Sequence, residues 1–376
     1  MNRKRLLITS TDLMMIQFLM PHVRYLSENG FAVELACSEI GGRLAEVREA
    51  AAGYAEAVHQ VSLVRSPFSP GNVRGYRQMV RLLRQRRYDI IWTNEPVMGV
   101  VTRLAARQAR RQGTKVVYMC HGFHFYQGAG PVNWLLYYPI ERLMSRFCDV
   151  IVTINREDEA RARTFHCPRV EYIHGIGVDT ERLRVPDGHR SIRDELGLKQ
   201  SDFLLLSVGE LNKNKNQQVI LRAMAKLGDR QIHCCLCGHG DQREKLEQLA
   251  RELGIEGQVH FLGYRRDVAA ICTQADVFVH SSRREGLSVA SLEAMYFGLP
   301  LILSNVRGSG DYLENGVSGF LREANDVEGF AEAINLLKTN APLRMACGQH
   351  NRKAVERYCI NVVKYEIETL LSDLTD

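Results

Sequence analysis

Short apolar runs alternate with stretches of helical periodicity along most of the chain. In the first half, runs rich in β-branched and aromatic residues predict strands at residues 5–9, 32–36, 90–92, 115–120, 150–154 and 170–173. Helical stretches such as residues 17–28 and 99–111 lie between them. Because strands that alternate with helices form parallel sheets covered by helices, the pattern predicts an α/β fold.

The alternation stops once and then starts again. Residues 179–202 are polar and contain no apolar strand run. Six further runs follow, at residues 203–208, 232–237, 259–262, 277–280, 301–303 and 319–321, and residues 343–374 have only helical periodicity. We therefore predict two Rossmann-like, doubly wound domains at residues 1–180 and 181–345, which face each other across a cleft. A C-terminal helical segment, residues 346–376, is expected to pack back toward the first domain.

Length and composition agree with two domains. At 376 residues the chain exceeds the usual size of a single core, and 45% hydrophobic with 24% charged residues is ordinary for a soluble protein. No run approaches the roughly 18 apolar residues that span a bilayer, and the first apolar run is too short for a signal peptide. We interpret the ten cysteines as small buried hydrophobic residues in a reducing cytoplasm.

Positive charge is concentrated in the first half. Residues 1–180 carry 24 Lys and Arg against 16 Asp and Glu, and 11 arginines lie between Arg65 and Arg111. Residues 74–87 predict an amphipathic basic helix, which could rest on anionic lipid at the inner face of the cytoplasmic membrane or simply face water. Nucleic acid is not an expected partner, because aromatic residues do not interleave with the arginines.

Two glutamates mark the most informative segment. Seven residues separate Glu285 from Glu293, and the order is buried strand, tight turn with an acid, helix, second acid. The free backbone N–H groups of Gly286, Leu287 and Ser288 would lie at a helix N-terminus. Such a terminus can bind phosphate or sugar oxygens, whereas two solvated acids on a surface helix are the simpler alternative.

This segment resembles the acid-x7-acid motif of glycosyltransferase family 4, whose members are retaining enzymes with the GT-B fold. The resemblance implies that Glu293 holds the ribose hydroxyls of a nucleotide sugar and that Glu285 lies beside the donor sugar in a catalytic role. It also implies that the turn and first helical residue bind the donor; these are Gly286, Leu287, Ser288 and Val289.

A second match follows the first strand of the second domain. Gly209 permits close approach of a phosphate to the backbone, and the loop after it carries Lys213 and Lys215. The family loop usually reads Gly-Arg with a lysine five positions after the arginine, and Lys215 matches that lysine. Glu210 departs from the arginine; Lys213 could replace the missing charge, or the donor pocket could differ. The form of this loop resembles capsule and exopolysaccharide transferases.

The first domain carries histidines at the end of a predicted strand. His121 and His124 follow residues 115–120, where a ligand of an α/β sheet would bind. The family resemblance assigns His121 to the donor sugar as a catalytic residue, and we place His124 and Asn94 on the acceptor side. Aromatic residues at 123–141 could stack on sugar, touch lipid or form ordinary core.

We therefore predict a retaining hexosyltransferase. It would move a hexose or N-acetylhexosamine from a UDP-sugar to a glycan acceptor, with lipid linkage favoured, in surface polysaccharide synthesis. No Asp-x-Asp occurs, so the prediction is chemistry without metal or cofactor, in which Lys215 and the helix N-terminus stabilise the leaving diphosphate. The resemblance favours same-face transfer, in which the departing phosphate takes the acceptor's proton.

Two alternatives remain. A nucleotide-sugar 2-epimerase of the same architecture would use the acids and His121 for proton abstraction and would need no acceptor. A non-catalytic protein would bind nucleotide sugar, or anionic membrane through the basic segment. Product formation with an acceptor distinguishes all three.

Overall fold

The computed structural model describes residues 3–64, 66–67, 69–185 and 188–375. The chain divides into two compact units, one formed by Met1–Gly177 with Ile360–Asp376 and the other by Val178–Cys359. The units change at 177/178, three residues before the predicted limit of 180, and at 359/360, fourteen residues after the predicted limit of 345. Of the predicted C-terminal segment, residues 346–359 belong to the second unit and residues 360–376 to the first. Pro186 and Asp187 of the predicted linker, and Arg65 of the basic segment, lie outside the described residues.

A seven-stranded parallel sheet forms the centre of the first unit. Its strand order is β3-β2-β1-β4-β5-β6-β7. The strands are β1 (Lys4–Thr11), β2 (Phe31–Ser38), β3 (Ala55–Gln60), β4 (Ile90–Asn94), β5 (Lys115–Cys120), β6 (Val150–Thr153) and β7 (Arg169–Tyr172). The six strands that the pattern predicts are confirmed. Strand β3 was missed because its side chains do not alternate in polarity and it pairs only with β2, at the sheet edge.

Nine α-helices and a π-helical turn accompany this sheet in the described part of the first unit. They are α1 (Asp12–Met14), the π turn (Met15–Leu19), α2 (Met20–Glu28), α3 (Leu44–Ala50), α4 (Asn72–Gln85), α5 (Pro96–Ala105), α6 (Arg107–Arg111), α7 (Pro131–Met144), α8 (Arg156–Ala162) and α17 (Ile360–Ser372), which contacts α2; a 3₁₀ turn covers Ser145–Phe147. Helix α4 confirms the predicted amphipathic basic helix, since Met79 and Leu82 are buried while its arginines are exposed.

The second unit contains a six-stranded parallel sheet in the order β10-β9-β8-β11-β12-β13. All six strands were predicted: β8 (Phe203–Val208), β9 (Ile232–Cys237), β10 (Val259–Gly263), β11 (Val277–His280), β12 (Leu301–Ser304) and β13 (Gly319–Arg322). Its helices are α9 (Ile192–Glu195), α10 (Gln218–Leu227), α11 (Arg243–Glu252), α12 (Val268–Cys272), α13 (Val289–Tyr296), α14 (Ser309–Tyr312), α15 (Val327–Thr339) and α16 (Ala341–Ala354), with 3₁₀ turns at Glu256–Gln258 and Val355–Tyr358.

The sheet of this second unit is buried on both faces, as parallel sheets require. One core cluster joins α10, α11 and α15 to one face, with Ile220, Leu236 and Phe330 fully or nearly fully buried. The other cluster joins α12 and α13 to the opposite face through residues such as Phe278 and Met295. The strand ends are thereby held in fixed positions, from which the site loops project.

The aromatic segment of the first unit is mainly core. Phe123 and Phe125 are buried and stacked, with ring centroids 4.8 Å apart, and Trp134 and Tyr138 pack around Phe125. Eight of the ten cysteines are buried, as expected, and all ten are free thiols. No helix in the described ranges is long and apolar enough to cross a membrane.

One arginine of the basic segment cannot form part of a lipid-binding surface. Arg103 is fully buried, donates to Glu141 at 2.8 Å and lies over the Tyr118 ring. Two others are engaged in ion pairs, Arg86 with the buried Glu34 and Arg110 with Asp149. Arg103 therefore cannot contribute to a membrane contact of the segment between Arg65 and Arg111, because it is buried and a carboxylate neutralises its charge.

Candidate active site

Strands β8 and β11 are neighbours at the point where the strand order of the second sheet reverses. Their carboxyl ends therefore open into the crevice where doubly wound sheets bind ligands. Gly209 and Lys215 follow β8, whereas His280 ends β11 and Glu285 follows it. The topology thus brings together two sequence segments that are about seventy residues apart.

Three side chains meet in this crevice. Lys215 donates from Nζ to Glu285 Oε1 at 2.7 Å, and His280 Nε2 lies 3.0 Å from the same oxygen. Nζ of Lys215 is also 3.2 Å from His280 Nε2. His280 was not among the predicted site residues. The available sign was a histidine at the end of an otherwise apolar strand, five residues before the first acid.

The contacts of Glu285 determine its charge. Burial alone would raise the pKa of Glu285, but the hydrogen bonds from His280 and Lys215, together with the Lys215 charge, outweigh it and hold that pKa well below the usual range. The pKa of His280 is lowered by burial and, second, by the Lys215 charge. At neutral pH the cluster therefore contains an ionised carboxylate, an ammonium group and a neutral imidazole.

The helix that follows Glu285 begins as predicted. Ser288 is the N-cap of α13, and its hydroxyl accepts from the backbone N–H of Ser291 at 3.3 Å. Within the described residues, the backbone N–H groups of residues 286–290 have no hydrogen-bond partner. These groups include those of Gly286, Leu287 and Val289, and together they offer several donors to an anion.

Glu293 lies in the second turn of α13 in a different environment. Burial raises its pKa to about 6, while Arg182 opposes that shift and Asp179 adds to it. Its carboxylate has no hydrogen-bond partner among the residues that the structure describes. A partly buried acceptor without a donor is costly to leave unpaired, so this group is prepared to accept hydrogen bonds from a ligand.

A glycine turn supports the backbone of the Lys215 loop. Gly209 donates its N–H to the Cys237 carbonyl at 2.9 Å, and Leu211 donates to the His239 carbonyl at 2.8 Å. A Cβ on Gly238 would lie 2.0 Å from the Gly209 carbonyl oxygen, so a side chain is excluded there. The β9–α11 turn therefore fixes the position of the loop that carries Lys215.

Lys213 does not join this cluster. Lys213 is exposed and lines a separate polar pocket of about 270 Å³, whose lining includes neither Lys215 nor the two acids. Glu210 is exposed as well. The charge that the family arginine would supply is therefore not replaced by an interaction of Lys213 with Glu285.

In the first unit, His121 and Asn94 meet at the carboxyl ends of adjacent strands β5 and β4. Asn94 donates through Nδ2 to the Thr9 carbonyl at 3.3 Å, which turns its Oδ1 toward His121 Nε2, 3.0 Å away. Because an amide oxygen only accepts, His121 is protonated on Nε2 and keeps Nδ1 as an acceptor. Burial lowers the pKa of His121 to about 4, so the ring is neutral at neutral pH.

His124 lies apart from that pair, in an apolar pocket. Its ring stacks on Tyr137 with centroids 4.6 Å apart. Both residues line a cavity of about 470 Å³ whose walls come from α4, α5, α7 and the turn after β1, and are mainly aliphatic or aromatic. Glu95 at the cavity edge accepts from the Thr11 N–H at 2.6 Å and so fixes that turn.

No group of three or more His, Cys, Asp or Glu side chains is placed to hold a metal ion in the described ranges.

The chain has two α/β units, each built on one parallel sheet, and the side-chain cluster lies where the strand order of the second sheet reverses. These features define a protein of the GT-B class. Solved structures have the same fold. Anabaena HepE, determined with UDP and glucose, matches 99% of this chain and 100% of its own with a TM-score of 0.79 at 20% identity. A sucrose-phosphate synthase from Thermosynechococcus elongatus matches 99% of both chains with a TM-score of 0.81 at 18% identity.

Sequence comparison gives the family. The family described as Glycosyltransferase Family 4 matches residues 19–182, and Glycosyl transferases group 1 matches residues 189–354. EpsD of Bacillus subtilis (strain 168), a glycosyltransferase by provisional assignment, is 37% identical over 364 residues, which are 95% of this chain and 93% of EpsD. An Escherichia coli enzyme, UDP-Gal:alpha-D-GlcNAc-diphosphoundecaprenol alpha-1,3-galactosyltransferase, is 27% identical over 76% of this chain and 75% of its own length. The chain belongs to glycosyltransferase family 4 and is a glycosyltransferase with the GT-B fold.

Proposed function

We propose that this glycosyltransferase moves a hexose or N-acetylhexosamine from a UDP-sugar to a lipid-linked glycan acceptor, with retention at the anomeric carbon and without a metal ion. The observation that carries the proposal is the placement of Lys215 and Glu285 beside the free N-terminus of α13. The role that follows is a step in the synthesis of a surface polysaccharide at the inner face of the cytoplasmic membrane.

The donor site follows from complementary groups. The diphosphate is an anion with many acceptor oxygens, and it meets the Lys215 ammonium group and the N–H groups of residues 286–290. The ribose offers two hydroxyl donors, and Glu293 offers an unpaired carboxylate. Uridine as the base is supported by HepE, determined with UDP, and by the Escherichia coli relative that uses UDP-Gal.

The bond changes need no further reactant. The bond between the anomeric carbon and the diphosphate oxygen breaks, the acceptor oxygen forms its bond on the same face, and the acceptor's proton passes to the departing phosphate. Lys215 and the N–H groups stabilise the charge that develops on the diphosphate. Glu285 stays ionised and tied to Lys215, so it positions the donor sugar and does not attack it. Neutral His121 accepts a sugar hydroxyl through Nδ1.

The first unit offers features suited to a lipid-linked acceptor. The apolar cavity beside His124 suits a hydrocarbon chain better than a free sugar. Helix α7, which lines the cavity on one side, exposes an apolar row that includes Val132 at 70% and Leu135 at 82%. Helix α4, which also reaches the cavity, exposes a row of arginines that would meet anionic headgroups.

A binding screen and a product assay test the proposal. We expect UDP and one UDP-sugar to raise the melting temperature, GDP to leave it unchanged, and Glu293→Ala to abolish the shift. With a lipid-linked acceptor, product should form in the presence of EDTA. Lys215→Met should lower kcat by about 100-fold or more, because it removes a charge that acts on the leaving group. Lys226→Met, at an exposed position on α10, is the matched control.

Three results would contradict the proposal. A glycosyl adduct trapped on Glu285 would replace same-face transfer with a covalent route. Consumption of the UDP-sugar without acceptor would indicate the epimerase. If no nucleotide raised the melting temperature, the proposed donor site would be contradicted.

A further inference from the structure

The polar pocket beside Lys213 is not used by the proposed reaction. It measures about 270 Å³ and lies between α10, α11 and the loops after β8 and β11. Three of its lining residues are cations, Lys213, Lys245 and Arg283, and none is an acid. Among the described residues, neither lysine has an ion-pair or hydrogen-bond partner. Uncompensated like charges around one pocket favour an anion.

A buried side chain indicates what else the ligand carries. Gln217 is 4% exposed and lines the pocket, and its Nε2 donates to the Glu210 carbonyl at 3.0 Å. Its Oε1 is buried and has no hydrogen-bond partner in the part of the chain that the structure describes. Because an unpaired buried acceptor is costly, a ligand hydroxyl that donates to it would gain more than a solvated contact. Gln217 thus adds a buried oxygen without a donor to the wall of a pocket that three cations line.

The pocket shares both of its loops with the donor cluster. Lys213 and Lys215 are two positions apart on one loop, and Arg283 and Glu285 are two positions apart on the other. Arg283 donates its N–H to the Asn214 carbonyl at 2.8 Å, which ties the loops together. Between them, Asn216 has a φ of 55°, an uncommon conformation for a residue other than glycine.

Several contacts hold Asn216 in that conformation. Its Oδ1 accepts from the Arg283 guanidinium at 3.2 Å, its Nδ2 donates to the Ala324 carbonyl at 2.7 Å, and its own carbonyl accepts from the Ser281 hydroxyl at 3.0 Å. A ligand that binds Arg283 and Lys213 would therefore contact a hydrogen-bond partner of Asn216, the residue next to Lys215. The two sites therefore share one short backbone segment, residues 213–216.

We propose that this pocket is a second ligand site, which binds a sugar phosphate through its cations and the Gln217 oxygen, and that its occupancy changes the affinity of the donor site. The binding claim stands on the pocket alone; the linkage rests on the proposed function of the Lys215–Glu285 cluster. Coupling of this kind is reciprocal, so nucleotide binding changes the affinity for the sugar phosphate by the same factor.

Calorimetry on the full chain tests the binding claim with glucose 6-phosphate, inorganic phosphate and glucose as probes. We expect glucose 6-phosphate to bind, inorganic phosphate to bind severalfold more weakly, and glucose not to bind. Lys245→Ala should weaken the binding of glucose 6-phosphate by about tenfold or more, since the substitution removes a charged partner of the phosphate. Arg251→Ala, at an exposed position on the same helix but outside the pocket, should leave it unchanged. No binding, or equal loss in both variants, overturns the site.

Titration of UDP at rising glucose 6-phosphate tests the linkage. The apparent Kd of UDP should change severalfold and then reach a plateau, and Lys245→Ala should shift the midpoint of that change to higher glucose 6-phosphate. A Kd that rises without limit means competition for one site and overturns a separate pocket, and no change at saturation overturns the linkage. If glucose 6-phosphate binds and responds to Lys245→Ala while no nucleotide binds, the second site stands and the proposed function fails.

Discussion

At the scale of single residues, environment separates the two glutamates of one motif. Glu285 is held ionised by Lys215 and His280, whereas Glu293 is partly buried without a donor and its pKa rises to about 6. The same side chain thus has opposite pKa shifts eight positions apart. The negative charge of Glu285 is paired with the Lys215 ammonium group, whereas the Glu293 carboxylate has no donor and can accept hydrogen bonds from hydroxyl groups.

Glu293 predicts a pH-dependent stability. Its pKa is raised from 4.5 to about 6, so between these values the folded protein retains a proton that the unfolded chain has lost. Ionisation of Glu293 therefore destabilises the folded state as pH rises through this window. We expect Glu293→Gln to be more stable than wild type by about 1–2 kcal/mol at pH 7.5 and equal to it at pH 4.5. Urea unfolding at both pH values measures this.

The same variant separates stability from ligand binding. Glu293→Gln should bind UDP more weakly although it is more stable at pH 7.5, because an amide accepts fewer hydroxyl hydrogen bonds than a carboxylate. A variant that gained no stability at pH 7.5, or gained as much at pH 4.5, would contradict the pKa of Glu293 argued above.

At the scale of elements, the turn after β9 supports the loop after β8. The loop after β8 carries Lys215, and the turn after β9 supports its backbone through two hydrogen bonds. Gly238 has a φ of 149° and comes so close to the Gly209 carbonyl that no side chain fits. The position of the loop that carries Lys215 thus depends on a glycine in a different turn.

Gly238→Ala tests this support. We expect a loss of about 1–3 kcal/mol of unfolding free energy, because the added methyl group displaces the Gly209 carbonyl, and weaker binding of UDP. Gly257→Ala is the matched control, since a Cβ there meets no atom within 4 Å. Thermal unfolding and UDP titration of both variants measure the effect. Equal behaviour of the two variants would show that the turn does not position Lys215.

At the scale of the whole molecule, charge differs between the halves of the chain. Residues 1–180 carry a net charge of +8, from 24 basic and 16 acidic side chains, and the remaining residues carry −2, from 25 and 27. Arginines 77, 81 and 84 of α4 are exposed, whereas Arg103 is buried with Glu141. Exposed arginines such as these, unlike Arg103, can contribute to attraction toward an anionic bilayer.

Charge reversal on α4 tests that attraction. We expect Arg77→Glu, Arg81→Glu and Arg84→Glu together to weaken binding to vesicles with anionic lipid by about 100-fold or more, since each basic residue near the surface contributes about 1 kcal/mol. Sedimentation with such vesicles measures it. The control carries the same reversal at exposed arginines 222, 230 and 251 of the second unit. If the control loses as much, net charge and not α4 is responsible.

Strands could be predicted where their burial requires a run of apolar residues. Residues 203–208 and 277–280 are mostly apolar because parallel strands are covered on both faces, and the helices that follow them are predicted from periodicity. Strand β3 was not predictable, because Ala55–Gln60 is short, mixed in polarity and becomes a strand only through pairing with the edge of β2. The local residue pattern does not show which other segment a strand will pair with.

The sequence by itself determined the α/β class, the two sheets, the helix start at Ser288 and the family to which the chain belongs, because these depend on spacing along one segment. Tertiary structure alone decided that His280 joins Lys215 and Glu285, that Lys213 turns to a separate pocket, and that Arg103 is buried. It also decided the charge states of the two glutamates. Each of these depends on groups brought together across long stretches of chain, and desolvation and pairing of charge arise only when those groups meet.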